Sequence, residues 1–382
     1  MADTADVIII GAGLIGLSIA YHVASKGISH VVVIEKESLW GHGSSGRSAG
    51  GVRLEFSHPS AVKFSQYGLE MFRHFDDLFG ISASFNPCGY LFLTRDPGQW
   101  KVMQDLSLMQ QSLGVPVKCL APQEVFYRFP YVKIPDLVGA TFCPEDGVAD
   151  PGAVLYGFAK RAMDLGVTIR LGEQVTGIMA HHDQIMGVTT TKGVITGPVV
   201  VNAAGPYAST IGQMAGVEIP VRPYRRSIYI TTPFMDLPPM MPMTLDLETT
   251  SYLRREGDGI LLGMSDPDEP SSYHTETDHQ VLEKLIDTLL RWVPALNHAA
   301  ILRGWAGLYE VSPDDSAIIG EVPGLSGFYC ANGFSGHGFM HSPAAGRVIA
   351  ELIAGEEPFV DIRPFLLARF TDNQPTWETF VI

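Results

Sequence analysis

At 382 residues the chain is too long for one ordinary hydrophobic core, so its length predicts two domains. Hydrophobic residues make up 46% of it and charged residues 18%, which indicates a well-buried globular protein and argues against disorder. The formal net charge of −15, without a basic run, argues against nucleic acid or an anionic membrane surface as partner, because clustered lysines and arginines bind both.

The most apolar stretch, residues 7–20, is too short to span a bilayer. We therefore expect no membrane span and no signal peptide. The cysteines form no Cys-x-x-Cys pair and no Cys/His cluster, which predicts neither a metal site nor a disulfide framework. Reduced thiols in a cytoplasmic protein are the expectation. The cysteines are Cys88, Cys119, Cys143 and Cys330.

The first predicted elements form a dinucleotide-binding unit. An apolar strand at residues 7–10 opens into Gly11-x-Gly13-x-x-Gly16 at the start of a helix, and a second strand follows at residues 31–34. Gly11 makes the tight turn, Gly13 lets the backbone approach a pyrophosphate, and Gly16 lets helix and strand pack closely. The helix N-terminus offers N–H groups and its dipole to the phosphates. A glycine-rich turn that binds nothing is the alternative.

An acidic residue completes this pattern. Glu35 lies 19 positions after the third glycine, at the end of the second strand. Its carboxylate can accept hydrogen bonds from ribose hydroxyls, and its charge would repel a 2′-phosphate. The sequence therefore disfavours NADP at this site.

The next segments alternate between the two predicted domains. Residues 61–79 carry apolar side chains at helical spacing, and the chain leaves the nucleotide domain near a strand at residues 89–93. Asp150-Pro151 pairs a capping side chain with a proline and predicts a helix to about residue 165. Short strands then return to the nucleotide domain and end on small residues at 203–205, which permit close approach to a cofactor or make a plain tight turn. These strands are predicted at residues 168–170, 174–179, 185–191 and 199–202.

From residue 221 onward the pattern changes to the alternation typical of strands. We expect a second, largely antiparallel domain here, with a ligand cavity between the two domains. A later strand runs into a second glycine-rich turn and a helix to about residue 354, whose dipole can also point at the cofactor. The strands are predicted at residues 227–230, 252–254, 260–263, 301–309 and 327–332, and a further helix at 278–292.

Five segments, taken together, resemble the flavin-dependent amine oxidoreductases of the D-amino-acid oxidase superfamily, in the branch of glycine oxidase, sarcosine oxidase and the β subunits of proline dehydrogenase. The resemblance implies an α/β fold of mixed α+β character, in which a Rossmann-like FAD-binding domain is interleaved with a second, largely antiparallel β-sheet substrate domain. It also implies oxidation of a C–N bond to an imine by hydride transfer to flavin N5. The segments are the fingerprint with Glu35-Lys36 and residues 43–53, 203–207, 303–309 and 333–339.

The resemblance also divides the chain into domains. The FAD-binding domain would comprise residues 1–85, 145–220 and 320–382. The substrate-binding domain would comprise residues 86–144 and 221–319.

A set of cofactor contacts follows from the same resemblance. Small residues in the segment 43–53 would let that loop run close beneath the flavin ring. The glycine turn at 333–338 would present N–H groups to the flavin C2 carbonyl and stabilise the negative charge that develops there. The contacts are Gly11, Ala12, Gly13, Leu14, Ile15, Gly16, Glu35, Lys36, Ser44, Ser45, Arg47, Ser48, Ala49, Gly50, Gly51, Val175, Ala203, Ala204, Gly205, Tyr207, Gly307, Leu308, Gly333, Phe334, Ser335, Gly336, His337, Gly338, Phe339 and Met340.

Four residues are the expected catalytic or substrate contacts. Arg53 corresponds to a loop arginine that helps hold the substrate carboxylate in sarcosine oxidases, and a guanidinium suits that grip. A solvated side chain or a salt bridge to Glu55 is the alternative. Tyr252 can hydrogen-bond the substrate or be an ordinary strand tyrosine, and His337 is expected to contact the cofactor or to bind a loop carbonyl. Tyr309 stands where glycine and D-amino acid oxidases carry an arginine.

Other positions depart from the family pattern. Sarcosine oxidase has a lysine where this chain has Met340, so Arg53 alone remains of the known anchors. The cysteine and histidine that attach flavin covalently in relatives are missing at Gly307 and near Arg47, which predicts non-covalent FAD. The lysine that activates dioxygen falls at Leu261, so the sequence favours a dehydrogenase over an oxidase.

The main hypothesis is an FAD-dependent oxidoreductase acting on a small primary or secondary amino acid, such as sarcosine, proline, glycine or an N-substituted amino acid. One alternative keeps the fold but oxidises a C–O bond, as hydroxy-acid or glycerophosphate dehydrogenases do. Another is a catalytic subunit that passes electrons to partner subunits of a heteromeric dehydrogenase. A third is a non-enzymatic flavoprotein or assembly factor.

Overall fold

The computed structural model describes residues 3–380, which fold into three larger β-sheets, one two-stranded sheet and the helices around them. The strands are β1 (Asp3–Thr4), β2 (Val7–Ile10), β3 (Val31–Ile34), β4 (Gly51–Val52), β5 (Tyr90–Thr94), β6 (Lys118–Leu120), β7 (Gly139–Cys143), β8 (Gly147–Val148), β9 (Thr168–Arg170), β10 (Val175–His181), β11 (Gln184–Thr190), β12 (Gly193–Thr196), β13 (Val199–Asn202), β14 (Arg222–Thr231), β15 (Met243–Asp246), β16 (Ser251–Glu256), β17 (Gly259–Met264), β18 (Ile301–Val311), β19 (Ile318–Glu321) and β20 (Phe328–Asn332). The α-helices are α1 (Leu14–Ser25), α2 (Pro59–Arg73), α3 (Phe75–Phe79), α4 (Pro97–Ser112), α5 (Pro122–Arg128), α6 (Pro151–Asp164), α7 (Ala208–Met214), α8 (His279–Leu290), α9 (Gly338–Ile353) and α10 (Ala368–Thr371).

A six-stranded sheet forms the core of the nucleotide domain. Its strand order is β19-β20-β13-β2-β3-β9, and all neighbours are parallel except the antiparallel edge pair β19 and β20. Every residue of β2 and β3 is buried, as expected for parallel strands covered on both faces. Helix α1 packs on β2 and β3 and against α6 and α9. The predicted Rossmann-like arrangement and mixed α/β fold class are confirmed.

The segment that follows α6 differs in detail from its prediction. Strands β9 and β13 join the six-stranded sheet, but β10, β11 and β12 form a separate four-stranded sheet with β1. The pairs β10–β11 and β11–β12 are antiparallel, and β1 lies parallel to β12. Exposed side chains alternate with buried ones along β11, so this sheet has a solvated face that a central parallel strand would not tolerate.

The second domain is built on an eight-stranded sheet of order β18-β14-β17-β16-β15-β5-β7-β6. All its pairs are antiparallel except β15 with β5, which are parallel. The strands come from residues 90–143 and 222–311, so two distant stretches of the chain share one sheet. This sharing supports the domain boundaries at residues 86–144 and 221–319, which we keep as a proposal.

The helices test the predicted boundaries. Asp150 caps α6 as expected, since its Oδ1 accepts hydrogen bonds from the N–H groups of Gly152 at 2.8 Å and Ala153 at 3.3 Å. The helix predicted over residues 61–79 is interrupted at His74, whose φ of −115° separates α2 from α3. Helices α4 and α5 and strands β7 and β15 have no counterpart in the prediction.

The segment after α10 returns to the centre of the molecule. Asp314 is fully buried, and its carboxylate accepts hydrogen bonds from the Arg369 guanidinium at 2.8 and 2.9 Å and from Thr376 N–H at 2.8 Å. The carboxylate of Glu378 then accepts from Ser57 Oγ at 2.7 Å. These contacts bring the buried ring of Phe380 beside Phe92, with 5.0 Å between ring centroids.

Two absences hold for residues 3–380. No helix there is both long and apolar enough to cross a membrane. No three or more His, Cys, Asp and Glu side chains there come together in a way that could hold a metal ion.

Candidate active site

The turn between β2 and α1 is shaped by its glycines. Gly11 has a φ of +108°, and a Cβ atom there would overlap the carbonyl oxygen of Ala203. A Cβ atom on Gly16 would overlap the carbonyl oxygen of Gly11. No side chain caps α1, and of its first amides Leu14 N–H donates to Ser45 Oγ at 2.9 Å. The turn therefore keeps amide groups and positive helix dipole for a phosphate.

Glu35 is held in place by backbone amides. Its Oε2 accepts a hydrogen bond from Ala12 N–H at 2.8 Å, and its Oε1 accepts one from Glu37 N–H at 3.0 Å. An ionised carboxylate has about four acceptor sites, so two remain for ribose hydroxyls. The side chain lines a cavity of about 450 Å³, the nucleotide cavity, which runs along the carboxyl ends of β2, β3 and β13.

Two tyrosines line the nucleotide cavity. The rings of Tyr207 and Tyr273 are stacked at 4.8 Å, and Lys36 Nζ lies 3.5 Å from the Tyr207 ring centroid. Val175 lines the same cavity. Tyr273 belongs to the segment between β17 and α8, and sequence analysis missed it because nothing local links that segment to the fingerprint.

The loop over residues 43–53 is fastened to β18. Ser44 Oγ donates to the carbonyl oxygen of Leu308 at 2.6 Å, and Arg47 Nη1 donates to that of Ala306 at 2.8 Å. In return Trp305 Nε1 donates to the carbonyl oxygen of Arg47 at 3.0 Å. These bonds hold the loop between the nucleotide cavity and a second, adjoining cavity.

This second cavity, the inner cavity, is lined by three arginines, three tyrosines, a histidine and a glutamate, with apolar walls. Burial raises the pKa of the three tyrosines, so their hydroxyls stay protonated and can donate hydrogen bonds. The N-terminal residues of α9 also face it. The polar residues that line it are Ser44, Ser45, Arg47, Ser48, Arg53, Tyr90, Arg226, Tyr252, Tyr309, Glu310 and His337.

Arg53 is buried and has no ion-pair partner among residues 3–380. It is 1% exposed, and its guanidinium donates to the backbone carbonyl oxygens of Glu55 and Phe380 rather than to the Glu55 carboxylate. It also donates from Nη2 to His337 Nε2 at 2.9 Å and lies 4.2 Å from the Phe56 ring centroid. The predicted alternative of a salt bridge to Glu55 is therefore replaced by a bond to the carbonyl of that residue.

His337 is a neutral acceptor. Burial and the neighbouring Arg53 charge lower its pKa well below the usual value. Because a guanidinium can only donate, Nε2 must accept, and the ring proton belongs on Nδ1. A histidine whose acceptor nitrogen is already occupied is poorly suited to proton transfer, in agreement with the predicted contact role.

The glycine turn before α9 is partly bound to β18. The N–H of Gly333 donates to Glu310 Oε2 at 3.1 Å, and that of Ser335 donates to the Glu310 carbonyl oxygen at 3.1 Å. These two amides bind protein, whereas the inner cavity is lined by Phe334, Gly336, His337, Gly338, Phe339 and Met340. Sequence analysis missed Glu310, because the sequence around a carboxyl in a strand does not show which distant loop will pack against it.

The comparisons with known proteins agree with this geometry. Residues 6–352 match the model of the DAO family, described as FAD dependent oxidoreductase. The chain belongs to this family. It is 30% identical over 431 residues to FAD-dependent oxidoreductase domain-containing protein 1 of Xenopus laevis, an alignment that covers 100% of this chain and 85% of that protein.

Solved DAO-family structures show the same fold. L-proline dehydrogenase from P. horikoshii superposes with a TM-score of 0.90 at 32% identity, covering 98% of this chain and 100% of that one. Glycine oxidase from Geobacillus kaustophilus gives a TM-score of 0.84 at 22% identity and covers 96% of this chain and 99% of that one. Human mitochondrial sarcosine dehydrogenase is 28% identical over 99% of this chain but only 43% of its own length.

The residues present fit FAD, the cofactor of the family. The nucleotide and inner cavities share lining residues and therefore adjoin. Most predicted contacts line one cavity or the other. Five do not, because their part is to shape or support the turns: Ala12, Gly16, Gly50, Gly333 and Ser335. The residues shared by the two cavities are Leu14, Ile15, Ser44, Ser45, Arg47, Leu308 and Glu310.

Arg226, like Glu310 and Tyr90, is an inner-cavity residue that sequence analysis missed. It lies on β14 between Tyr224 and Ile228, and Ile228 lines the same cavity. Its neighbour Arg225 leaves the strand on the other side and pairs with Glu269 at 3.0 Å. Alternation along the strand could have separated the two arginines, but only the folded sheet shows which of them has a carboxylate partner.

Proposed function

We propose that the protein oxidises the C–N bond of a small amino acid with a free carboxylate, giving an imine that water hydrolyses. The observation that carries this proposal is the lining of the inner cavity by three arginines and three tyrosines. Its one carboxyl within residues 3–380, Glu310, accepts a hydrogen bond from a backbone amide. Such a lining suits an anionic substrate. Relatives whose names specify proline and sarcosine dehydrogenases support the same substrate class.

FAD, when bound, would supply the acceptor of a hydride from the substrate carbon. The chain supplies binding and orientation: arginine holds the carboxylate, and Tyr252 and Tyr309 donate hydrogen bonds from buried hydroxyls. Within residues 3–380, the side chains of the inner cavity that could accept a proton have protein partners, because His337 accepts from Arg53 and Glu310 accepts from Gly333 N–H. An amine substrate therefore enters in its neutral form rather than being deprotonated by the protein.

We further propose non-covalent FAD and slow reaction with dioxygen. No cysteine lines either cavity in the part of the chain that the structure describes. Leu261, where sarcosine oxidase would place its lysine, is 1% exposed in an apolar cluster. We propose that the protein is a dehydrogenase that passes electrons to another acceptor, which can be a partner subunit. We also propose a cytoplasmic location.

An anaerobic absorbance titration of the purified yellow protein tests this function. Sarcosine, proline, glycine, D-alanine and N-alkyl amino acids are added in turn, with 2-hydroxy acids and glycerol phosphate as controls. We expect one amino acid to bleach the flavin, with slow recolouring in air and rapid recolouring with an artificial dye. Bleaching only by a hydroxy acid or glycerol phosphate would overturn C–N oxidation in favour of C–O oxidation.

A further inference from the structure

We propose that Arg226, not Arg53, binds the carboxylate of the substrate, and that Arg53 is a positioning residue that holds the cavity wall. This inference rests on the proposed function. It differs from the sequence-based expectation, in which Arg53 was the remaining anchor.

The N–H groups of Arg53 already donate to protein acceptors. A guanidinium binds a carboxylate through two neighbouring N–H groups, either end-on from Nη1 and Nη2 or side-on from Nε and Nη2, and both of these forks use Nη2. The two hydrogens of Arg53 Nη2 go to His337 Nε2 and to the carbonyl oxygen of Phe380. A substrate carboxylate could take either fork only by displacing one of these buried acceptors. Arg53 therefore ties the loop, α9 and the C-terminal segment together at the cavity wall.

The donors of Arg226 are largely free. Its Nη1 donates to the carbonyl oxygen of Arg225 at 3.0 Å, but its Nε is buried and has no hydrogen-bond partner within residues 3–380. No carboxylate oxygen lies within 4.0 Å of its guanidinium in that part of the chain, because Glu269 is taken by Arg225. The side-on fork of Nε and Nη2 thus has no protein partner in the described residues.

A buried donor without a partner costs free energy, about 1–3 kcal/mol, and a buried cation normally has an anion beside it. The rings of Tyr224 and Tyr309 lie 5.8 and 5.4 Å from the guanidinium carbon and supply only a weak substitute. An anionic ligand in the inner cavity would accept a hydrogen bond from the unpaired donor and would balance the positive charge. The carboxylate of an amino acid matches the fork in shape and charge.

Two glycines lie across the sheet from this part of β14. In the sheet Arg226 lies opposite Gly307, and Ile228 lies opposite Gly263 on the other side. A Cβ atom on Gly263 would overlap the Tyr252 ring, so its absence lets that ring lean toward the cavity. Arg226, Tyr252 and Tyr309 thereby share one wall, where a cation and two hydroxyl donors can hold a carboxylate together.

The test measures carboxylate binding without turnover. Pyrrole-2-carboxylate and benzoate are titrated into the holoenzyme, with pyrrole-2-carboxamide as the uncharged control, and the shift of the flavin spectrum reports Kd. We expect Arg226→Met to weaken carboxylate binding about 100-fold and Arg226→Lys, which keeps the charge but loses the fork, about 10-fold. FAD content should stay unchanged in both, and carboxamide binding should not respond.

Two control variants complete the design. Arg222→Met removes an exposed arginine from the same strand and should leave Kd within about twofold of wild type. Arg53→Lys should change the carboxylate Kd less than about threefold. It should lower the thermal midpoint, since the variant loses hydrogen bonds that Arg53 donates to buried acceptors.

The outcomes separate this inference from the proposed function. Equal carboxylate binding in wild type and Arg226→Met overturns the assignment of Arg226. A loss of carboxylate binding that is seen only in Arg53→Lys overturns it as well. So does a wild-type protein that binds neither pyrrole-2-carboxylate nor benzoate. A wild type that binds carboxylates tightly at Arg226, but whose flavin no amino acid bleaches, overturns C–N oxidation and leaves the carboxylate site standing.

Discussion

At the scale of the residue, Glu310 shows how the fold changes a side chain's chemistry. It lies where the nucleotide and inner cavities meet, and its Oε2 accepts from Gly333 N–H at 3.1 Å. Burial raises the pKa of its carboxyl from 4.5 to about 8, against the opposing effect of these amide bonds. A neutral carboxyl adds no negative charge to a channel that must hold an anionic cofactor.

Glu310→Gln should change how stability depends on pH. Because the folded state holds the proton up to about pH 8 and the unfolded state loses it near pH 4.5, Glu310 makes the wild type progressively less stable as pH rises through this window. The variant lacks this loss. Its thermal midpoint relative to wild type should therefore rise between pH 5 and pH 8.5, as measured by scanning calorimetry of the holoenzyme.

Glu283→Gln, at an exposed position of α8, is the matched control and should show no such trend. A midpoint difference for Glu310→Gln that is the same at every pH would show that the carboxyl is ionised in the folded state.

Site residues could be predicted where their contacts are close in sequence, and could not be predicted where their contacts are distant. The tasks of Gly11, Gly16 and Glu35 concern a turn and two adjacent strands, so motif spacing was sufficient. The partners of Arg53 include Phe380, which lies 327 positions away in the sequence. The free fork of Arg226 depends on Arg225 taking Glu269. Both facts arise only when distant elements pack.

At the scale of the element, the β2–α1 turn is a place where backbone segments are in direct contact with one another. Gly16 packs over the carbonyl oxygen of Gly11, and Gly11 packs over that of Ala203 at the end of β13. Three elements thus approach with no room for a side chain. A displaced α1 would move the amide groups that face the phosphates.

Gly16→Ala should release FAD. A Cβ atom there overlaps a backbone oxygen that cannot move without shifting the turn, so we expect affinity for FAD to fall by more than about tenfold, or 1.4 kcal/mol. The measurement is flavin fluorescence on titrating FAD into the deflavinated protein.

Gly27→Ala, just beyond the other end of α1, is the control. It has a φ of +81° but open space around its Cβ position, so it strains the backbone by about 1 kcal/mol without touching the turn. An FAD affinity reduced equally in both variants would mean that general loss of stability, not the turn, is responsible.

Among the elements, those with a sharp local signal were predicted well. The Asp150-Pro151 pair gave the start of α6, and fully apolar runs gave β2 and β3. Helix α4 begins at the same kind of signal, with Asp96 capping Gly98 N–H at 2.6 Å, but its apolar face is narrow because only Met103, Ser107 and Gln110 are buried. Periodicity therefore could not reveal it.

At the scale of the whole molecule, the chain returns repeatedly to the same centre. The eight-stranded sheet combines strands from both halves, and the C-terminal segment brings Phe380 to the wall of the inner cavity. Which strands after α6 join the six-stranded sheet was not readable from the sequence, because alternation gives a strand's faces but not its neighbours.

Arg369→Met should loosen the C-terminal segment. It leaves the Asp314 carboxylate buried without its cation, which typically costs about 3–5 kcal/mol. We expect a lower thermal midpoint and faster chymotryptic cleavage at Trp377, which is 64% exposed. Mass spectrometry of timed digests measures the cleavage.

Arg363→Met removes an 84% exposed arginine that pairs with Asp361 at 2.7 Å. It should change neither stability nor cleavage, since exposed ion pairs contribute little to stability. Equal effects of the two variants would contradict an anchoring role for the buried pair.

Strand β18 has a consequence for how such enzymes diversify. Tyr309 faces the inner cavity alone, whereas its neighbours Leu308 and Glu310 border the nucleotide cavity as well. Selection for a new substrate can therefore act on Tyr309 while selection to retain FAD acts on Leu308 and Glu310. By the resemblance described above, Tyr309 stands where glycine and D-amino acid oxidases carry arginine. A lineage can exchange one carboxylate anchor for another across this strand without ever passing through an ancestor that has lost its flavin.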